Sequence, residues 1–278
     1  MIRKLKQEFL LKAPKGQVAE LEQCFFLLLK DKFDYSGRDY LMDESLDADQ
    51  LATFKNDLEK LLSGTPVQHL IGYSIFYGLK IKVDNRVLIP RPETEELVSI
   101  CLERKKNAKR AIDLATGSAC IALAFKQKVA EVYALEKSEA ALSLARENAI
   151  LNDLSLHFIQ DDILEPQEDW PEELDLIVSN PPYIRDLEKS EMEKKVLNHE
   201  PEMALFVEDD DPLIFYDAIT KYAYQALSKE GLLAFEINQY LGEEMKTLLG
   251  QYFLETEILN DSFGNARFAL AHKKRPTQ

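Results

Sequence analysis

Residues 111–119 read Ala-Ile-Asp-Leu-Ala-Thr-Gly-Ser-Ala: a short, mostly apolar run that opens into a loop of small side chains. Further apolar runs follow at Val132–Leu135, Leu156–Ile159, Leu174–Val178 and Leu232–Ile237. Runs of this length without polar alternation are expected of parallel strands covered on both faces. Helical segments separate them, and Ser138 is placed to cap a helix running through Asn152. Repeated right-handed strand–helix–strand units give an α/β fold with a doubly wound sheet.

In such a sheet, ligands bind outside the carboxyl ends of the strands. Three strand ends are unusual here. The first is Asp113-Leu114-Ala115-Thr116-Gly117-Ser118-Ala119, where small residues allow a ligand to approach the backbone. With one glycine it is no GxGxxG, and it also reads as a tight strand–helix turn. The second is Glu136, about 20 residues beyond that loop, where a carboxylate can accept bonds from both hydroxyls of a ribose. By itself it also reads as an exposed charge after a strand. The third is Asn180-Pro181-Pro182-Tyr183, after Leu174–Ser179. Two prolines fix the backbone and remove two donors, leaving their carbonyls as rigid acceptors. Asn180 adds a side-chain acceptor and Tyr183 an aromatic face, so the turn can hold a planar NH2 group by its hydrogens. A rigid surface turn is the alternative, but an Asn directly before Pro-Pro-aromatic at a strand end is uncommon, which makes this the most specific signal in the chain.

Upstream, residues 1–70 read as helical. Leu21, Cys24, Phe25, Leu28 and Leu29 mark one helix face, and Leu51, Phe54, Leu58, Leu61 and Leu62 mark another. Tyr73–Tyr77 and the alternating Leu79–Val83 read as a two-stranded hairpin around Gly78, a linker between domains. The 278 residues suffice for two domains, and the net charge of −15 disfavours general binding to nucleic acid. Arg104–Lys109 and Lys273–Arg275 are the dense basic runs, each read as a solvated helix face or tail; the acidic run Glu208–Asp211 reads as a solvated loop. Cys24, Cys101 and Cys120 are odd in number and widely spaced, which suits free thiols in a reducing, cytoplasmic setting. His69, His157, His199 and His272 stand apart, so no metal is expected. No apolar run is long enough for a membrane span.

Taken together, these residues resemble class I methyltransferases that use S-adenosylmethionine and act on a planar amino nitrogen. Val87-Leu88-Ile89-Pro90-Arg91-Pro92-Glu93-Thr94-Glu95 resembles the signature of the release factor glutamine methyltransferase family. The resemblance continues through Gly72-Tyr73, Phe76-Tyr77-Gly78, His199-Glu200-Pro201, Ala204-Leu205 and Asp261–Arg267. The chain departs from the family pattern where Ala115 and Ala119 replace glycines, where Glu136 replaces the commoner Asp, and where Ile163 stands in place of an aromatic residue.

The resemblance implies a Rossmann-like methyltransferase domain over residues 90–278. A hairpin linker over 71–89 and a helical, substrate-recognising domain over 1–70 would precede it. It implies that Asp113, Ala115, Thr116, Gly117, Ser118, Ala119, Glu136, Asp162, Ile163 and Asn180 hold S-adenosylmethionine, with S-adenosylhomocysteine as product. Asn180, Pro181, Pro182 and Tyr183 are implied as catalytic and substrate-binding, with Arg91 and Glu93 also at the substrate. The implied partner is a class I peptide chain release factor, methylated on the glutamine of its Gly-Gly-Gln loop. A cytoplasmic monomer with no stable nucleic-acid binding is expected. Two alternatives stand beside this: an adenine methyltransferase on DNA or RNA, and a catalytically inactive release-factor-binding adaptor.

Overall fold

The computed structural model describes residues 1–191 and 200–276. The chain divides into two compact units, the first containing Met1–Tyr73 and the second beginning at Ser74.

The first unit is helical: α1 (Ile2–Leu11), α2 (Val18–Phe33), α3 (Gly37–Met42), α4 (Ala48–Leu62) and α5 (Val67–Ile71). The stripes in the sequence form its core. Leu21, Phe25, Leu28 and Leu29 of α2 and Phe54, Leu58 and Leu61 of α4 are buried, with the Phe25 and Phe54 rings edge to face at 5.1 Å. Local signals set the helix starts. Ser36 and Asp47 cap α3 and α4 by accepting from the backbone N–H three residues on, at 3.2 and 2.8 Å. Asp57, 2% exposed inside this unit, is paired with Lys32 at 2.6 Å, which offsets the cost of burying its charge.

The second unit begins with the hairpin β1 (Tyr73–Phe76) and β2 (Leu79–Lys82), whose Phe76 and Ile81 are buried in the α/β core. Next come α6 (Pro92–Arg104), β3 (Arg110–Leu114), α7 (Cys120–Lys126), β4 (Glu131–Glu136), α8 (Glu139–Leu151), β5 (His157–Gln160) and β6 (Leu174–Ser179). The chain continues through β7 (Ile184–Arg185), β8 (Phe206–Val207), α9 (Ile214–Ala226), β9 (Leu227–Glu236), α10 (Gly242–Tyr252), β10 (Phe253–Asn260) and β11 (Ala266–Lys274). Ser138 caps α8, its hydroxyl accepting from Ala141 N at 3.3 Å.

The main sheet has seven strands in the order β10-β11-β9-β6-β3-β4-β5. The chain starts in the middle at β3, steps outward to β4 and β5, then reverses to β6, so the order switches between β3 and β6. β9, β6, β3, β4 and β5 run parallel, as their apolar runs anticipate. The antiparallel edge, β10 on β11 and β11 on β9, was not anticipated. β10 buries only Phe253, the rest of the strand being half-buried or exposed, so it has no continuous apolar run to mark it. Lys273 and Lys274 belong to β11 and are not part of a solvated tail.

Among the described residues no helix is long and apolar enough to cross a membrane, and no cluster of metal-ligating side chains occurs. Among the described residues, Cys24, Cys101 and Cys120 form no disulfide. Burial pushes the thiols of Cys101 and Cys120 up to about 12, so they behave as apolar core groups. His199, part of the resemblance to the family, lies outside the described residues.

Candidate active site

The carboxyl ends of β3, β4 and β6 converge beside the switch between β3 and β6, and a cavity opens there. That is the place expected of a small-molecule site in an open α/β sheet. Ala115, Thr116, Gly117 and Ser118 line it from the β3 loop, Glu136 from the tip of β4, and Asn180 and Pro182 from the turn after β6.

The loop after β3 is held in an unusual backbone. Ala115, Gly117 and Ala119 have φ of 59°, 52° and 63°. Glycine adopts this left-handed region freely, whereas an L-residue costs roughly 1–2 kcal/mol there. Ala115 and Ala119 therefore keep the path that glycines would follow, with some strain. Thr116 N donates to Leu135 O at 2.9 Å, tying the loop to β4. A Cβ built on Gly117 meets nothing within 4 Å, so the loop leaves open space at its crest.

Beneath the loop, Asp113 is fully buried. Its Oδ2 accepts from the Thr116 hydroxyl and from Ala122 N, while Oδ1 finds no partner among the described residues. Burial pushes its carboxyl up to about 7. At the next strand tip, Glu136 Oε2 accepts from Gly117 N at 2.9 Å and Oε1 from Ser138 N at 3.0 Å. Burial raises the Glu136 carboxyl above its usual range, against backbone N–H groups that favour its ionised form. Each oxygen keeps a further acceptor site, since a carboxylate offers about four. Two further acceptor sites on Glu136, at the cavity wall, and a small-residue loop with open space above Gly117 form an acceptor-rich wall that fits the ribose hydroxyls of S-adenosylmethionine; Asp113, beneath the loop, does not line the cavity.

The turn after β6 is anchored from behind. Ser179 Oγ donates to Leu114 O at 2.6 Å, joining it to β3. Asn180 Nδ2 donates to Thr94 Oγ1 at 3.4 Å, and the Tyr183 hydroxyl donates to Glu236 Oε1 at 3.1 Å. Tyr183 is therefore turned back toward the end of β9 and does not line the cavity; Pro181 is buried beneath it. Glu236 sits 2% exposed. Burial raises its carboxyl, while hydrogen bonds from Thr94 and Tyr183 and the charge of Arg267 favour ionisation.

Several residues named from the sequence stand elsewhere. Asp162 is paired with Lys137 at 2.6 Å and Ile163 is packed in the core, so neither lines the cavity. The loop that carries them is drawn in by Asp161, which accepts from Asp162 N, Gln167 N and the Trp170 indole. Arg91 reaches Glu200 at 2.6 Å, and Glu93 lies outside the lining, whereas their neighbours Pro90 and Thr94 are in it. Arg91 thus fastens the segment containing Pro201, Met203 and Ala204, which forms one cavity wall. Sequence reasoning gave no role to Thr94, Glu236 or Asn148. Glu236 carried the same signal as Glu136, a carboxylate closing an apolar strand. Asn148 is fully buried and bridges Ser118 O and Lys82 O at 3.0 and 3.1 Å, joining the loop after β3 to the hairpin.

Comparison with known proteins accords with this geometry. A family model described as Methyltransferase small domain matches residues 93–204, and one described as PrmC N-terminal domain matches residues 17–72. The chain is 43% identical over 259 residues to the release factor glutamine methyltransferase of Flavobacterium psychrophilum, covering 89% of this chain and 90% of that protein. It is 37% identical to the protein of the same name from Bacteroides thetaiotaomicron, covering 90% of each. Among solved structures, the catalytic domain of hMettl16 in complex with the MAT2A 3′UTR hairpin 6 superposes with a TM-score of 0.60 at 16% identity. It covers 83% of this chain and 94% of that one. At that identity the likeness speaks for the fold alone.

Proposed function

The chain belongs to the release factor glutamine methyltransferase family, and on that premise we propose that it methylates the side-chain amide nitrogen of the glutamine in the Gly-Gly-Gln loop of class I peptide chain release factors. One observation carries the reading: Asn180 and Glu136, from the tips of two different strands, line the same cavity. One end of that cavity suits a nucleoside and the other a planar amide.

Bound S-adenosylmethionine supplies a methyl group on a sulfonium, an electrophile that needs no further activation. The chain's own residues then bind and orient. Glu136 accepts the ribose hydroxyls, and the loop Ala115–Ser118 leaves room for the cofactor against its backbone. Asn180 Oδ1 and the Pro181 carbonyl accept the two hydrogens of the glutamine amide. A carboxamide nitrogen is a poor nucleophile, because its lone pair is delocalised. Holding it in line can supply roughly 7–11 kcal/mol of the barrier. The two acceptors also gain strength as positive charge develops on nitrogen, which favours the transition state over the ground state. Tyr183 acts from behind, bracing the turn through Glu236. The attacking nitrogen would form its bond to the methyl carbon as the sulfur–methyl bond breaks and S-adenosylhomocysteine leaves; the alkylated nitrogen is acidic and gives its extra proton to solvent, so no strong base is required.

The helical unit is assigned to recognition of the release factor, since a lone glutamine side chain offers little binding energy and a protein surface offers much. The protein works as a cytoplasmic monomer without stable nucleic-acid binding, in keeping with its net charge of −15. Mass spectrometry of a purified release factor after incubation with this protein and S-adenosylmethionine tests the proposal. A gain of one methyl on the loop glutamine is expected, and an unmodified glutamine refutes it. Removing residues 1–70 should spare cofactor binding and lower kcat/KM on release factor far more than on a short Gly-Gly-Gln peptide. An equal loss on both would make the helical unit a stabiliser of the fold.

A further inference from the structure

Glu236 closes β9, bonds directly to Tyr183 at the end of the Asn180–Tyr183 turn and reaches Asn180 at its start through Thr94. Its Oε2 accepts the Thr94 hydroxyl at 2.7 Å and its Oε1 accepts the Tyr183 hydroxyl at 3.1 Å. Thr94 Oγ1 in turn accepts from Asn180 Nδ2 at 3.4 Å. These contacts have a fixed polarity. A carboxylate only accepts, so Thr94 gives its single hydroxyl proton to Glu236 and can offer Asn180 only a lone pair. The NH2 end of Asn180 is the one that can face a lone pair. Its carbonyl oxygen is left uncommitted to Thr94, at a residue that lines the cavity. Shape alone would not choose, because the two ends of an asparagine amide are nearly the same size.

We infer that Glu236 and Thr94 are positioning residues: a buried relay from carboxylate to hydroxyl to amide sets the orientation in which Asn180 presents its carbonyl, and not its NH2, to the substrate amide. This rests on the functional reading above, in which Asn180 Oδ1 is an acceptor for the glutamine amide. An inverted Asn180 would bring donor against donor and turn the target nitrogen out of line. The same carboxylate holds Tyr183, so one residue on β9 fixes the start and the end of the turn. Thr94 belongs to α6 and Glu236 to the sheet, which explains why a strand-tip carboxylate is kept buried in a place where a hydrophobic residue would pack at less cost.

The test compares Thr94→Val, which removes the hydroxyl at nearly constant shape, with Thr94→Ser, which keeps it. In Thr94→Val, kcat on release factor falls on the order of ten- to a hundredfold, the range that misplacement of a reacting group produces. KM for release factor and the Kd of S-adenosylhomocysteine by calorimetry stay within about threefold, since the lost hydroxyl is bonded to Glu236 and Asn180 and is assigned no bond to either ligand, and valine keeps its shape at the cavity wall. Thr94→Ser recovers most of the lost rate. Independently of turnover, the Asn180 side-chain amide protons, assigned in NMR spectra by their loss in Asn180→Ala, exchange more slowly in the wild type than in Thr94→Val. A wild-type rate in Thr94→Val, equal losses in Val and Ser, or unchanged exchange of the Asn180 amide each overturns the relay. If the wild type leaves the release factor unmodified, the functional reading fails, and the exchange measurement alone decides the relay.

Discussion

Glu136→Gln keeps the size of the side chain and changes what it can accept. The two carboxylate oxygens take one backbone bond each, from Gly117 N at 2.9 Å and Ser138 N at 3.0 Å, and keep one further acceptor site each. Two sites match the two ribose hydroxyls. A glutamine has one acceptor oxygen, so whichever way its amide turns, an NH2 faces one of the two backbone N–H groups. The substitution therefore removes one backbone bond, present with or without cofactor, and one hydroxyl bond, present only in the complex. A hydrogen bond to a charged group contributes about 1.5–3 kcal/mol. Loss of the hydroxyl bond weakens cofactor binding by that amount, roughly a 10- to 150-fold rise in Kd. Loss of the backbone bond lowers the stability of the cofactor-free protein by a similar amount. Calorimetric titration with S-adenosylhomocysteine reads the first, and urea unfolding reads the second. At saturating cofactor, kcat changes less than about threefold, because the ribose contact is the same in ground and transition states. A Kd within about threefold of wild type would refute the assignment and leave Glu136 as a brace for the Gly117 loop.

Three further outcomes are expected. Asn180→Ala lowers single-turnover methyl transfer by about 10²–10³, with the fold and most cofactor affinity retained, as for loss of one preorganised polar contact; near wild-type turnover would remove it from the mechanism. Ala115→Gly relieves a left-handed alanine and raises the stability of the cofactor-free protein by about 0.5–1 kcal/mol in urea melts, after allowance for the greater freedom of glycine in the unfolded chain; a loss of stability would contradict the strain. Asp113, raised from 3.8 to about 7 chiefly by burial, favours the folded state fully below the unfolded value, and that contribution disappears as pH rises through about 7. Relative to Asp113→Asn, the wild type should therefore lose up to about 4 kcal/mol between pH 4 and pH 8; a pH-independent difference would show that Asp113 is not buried as a neutral acid.

The sequence made the parallel half of the sheet legible because strands covered on both faces must be apolar throughout. The helical stripes of α2 and α4 were legible for a similar reason: burial of one helix face repeats every three to four residues. The antiparallel pair β10 and β11 was not, since β10 buries only Phe253 and so carries no apolar run, and the pairing of β11 with it is a long-range contact. The loop after β3 and the turn after β6 announced themselves through residue types that constrain the backbone, glycine and proline above all. The left-handed path of Ala115 and Ala119, which stand where the family pattern has glycines, was decided only by the structure.

Which side chains meet was decided elsewhere. The sequence by itself determined that Glu136 and Asn180 close strands and that Thr94 sits in a distinctive segment. It could not say that Tyr183 turns away from the cavity, that Asp162 is taken by Lys137, or that Glu236 lies behind Thr94. Thr94 and Glu236 are separated by 142 positions and meet only because α6 lies against the sheet where β9 ends. Local pattern is written by burial and backbone freedom, which each segment carries with it. The direction of a hydrogen-bond relay depends on which donors and acceptors the packed layers bring within about 3 Å, and only the tertiary fold sets that distance.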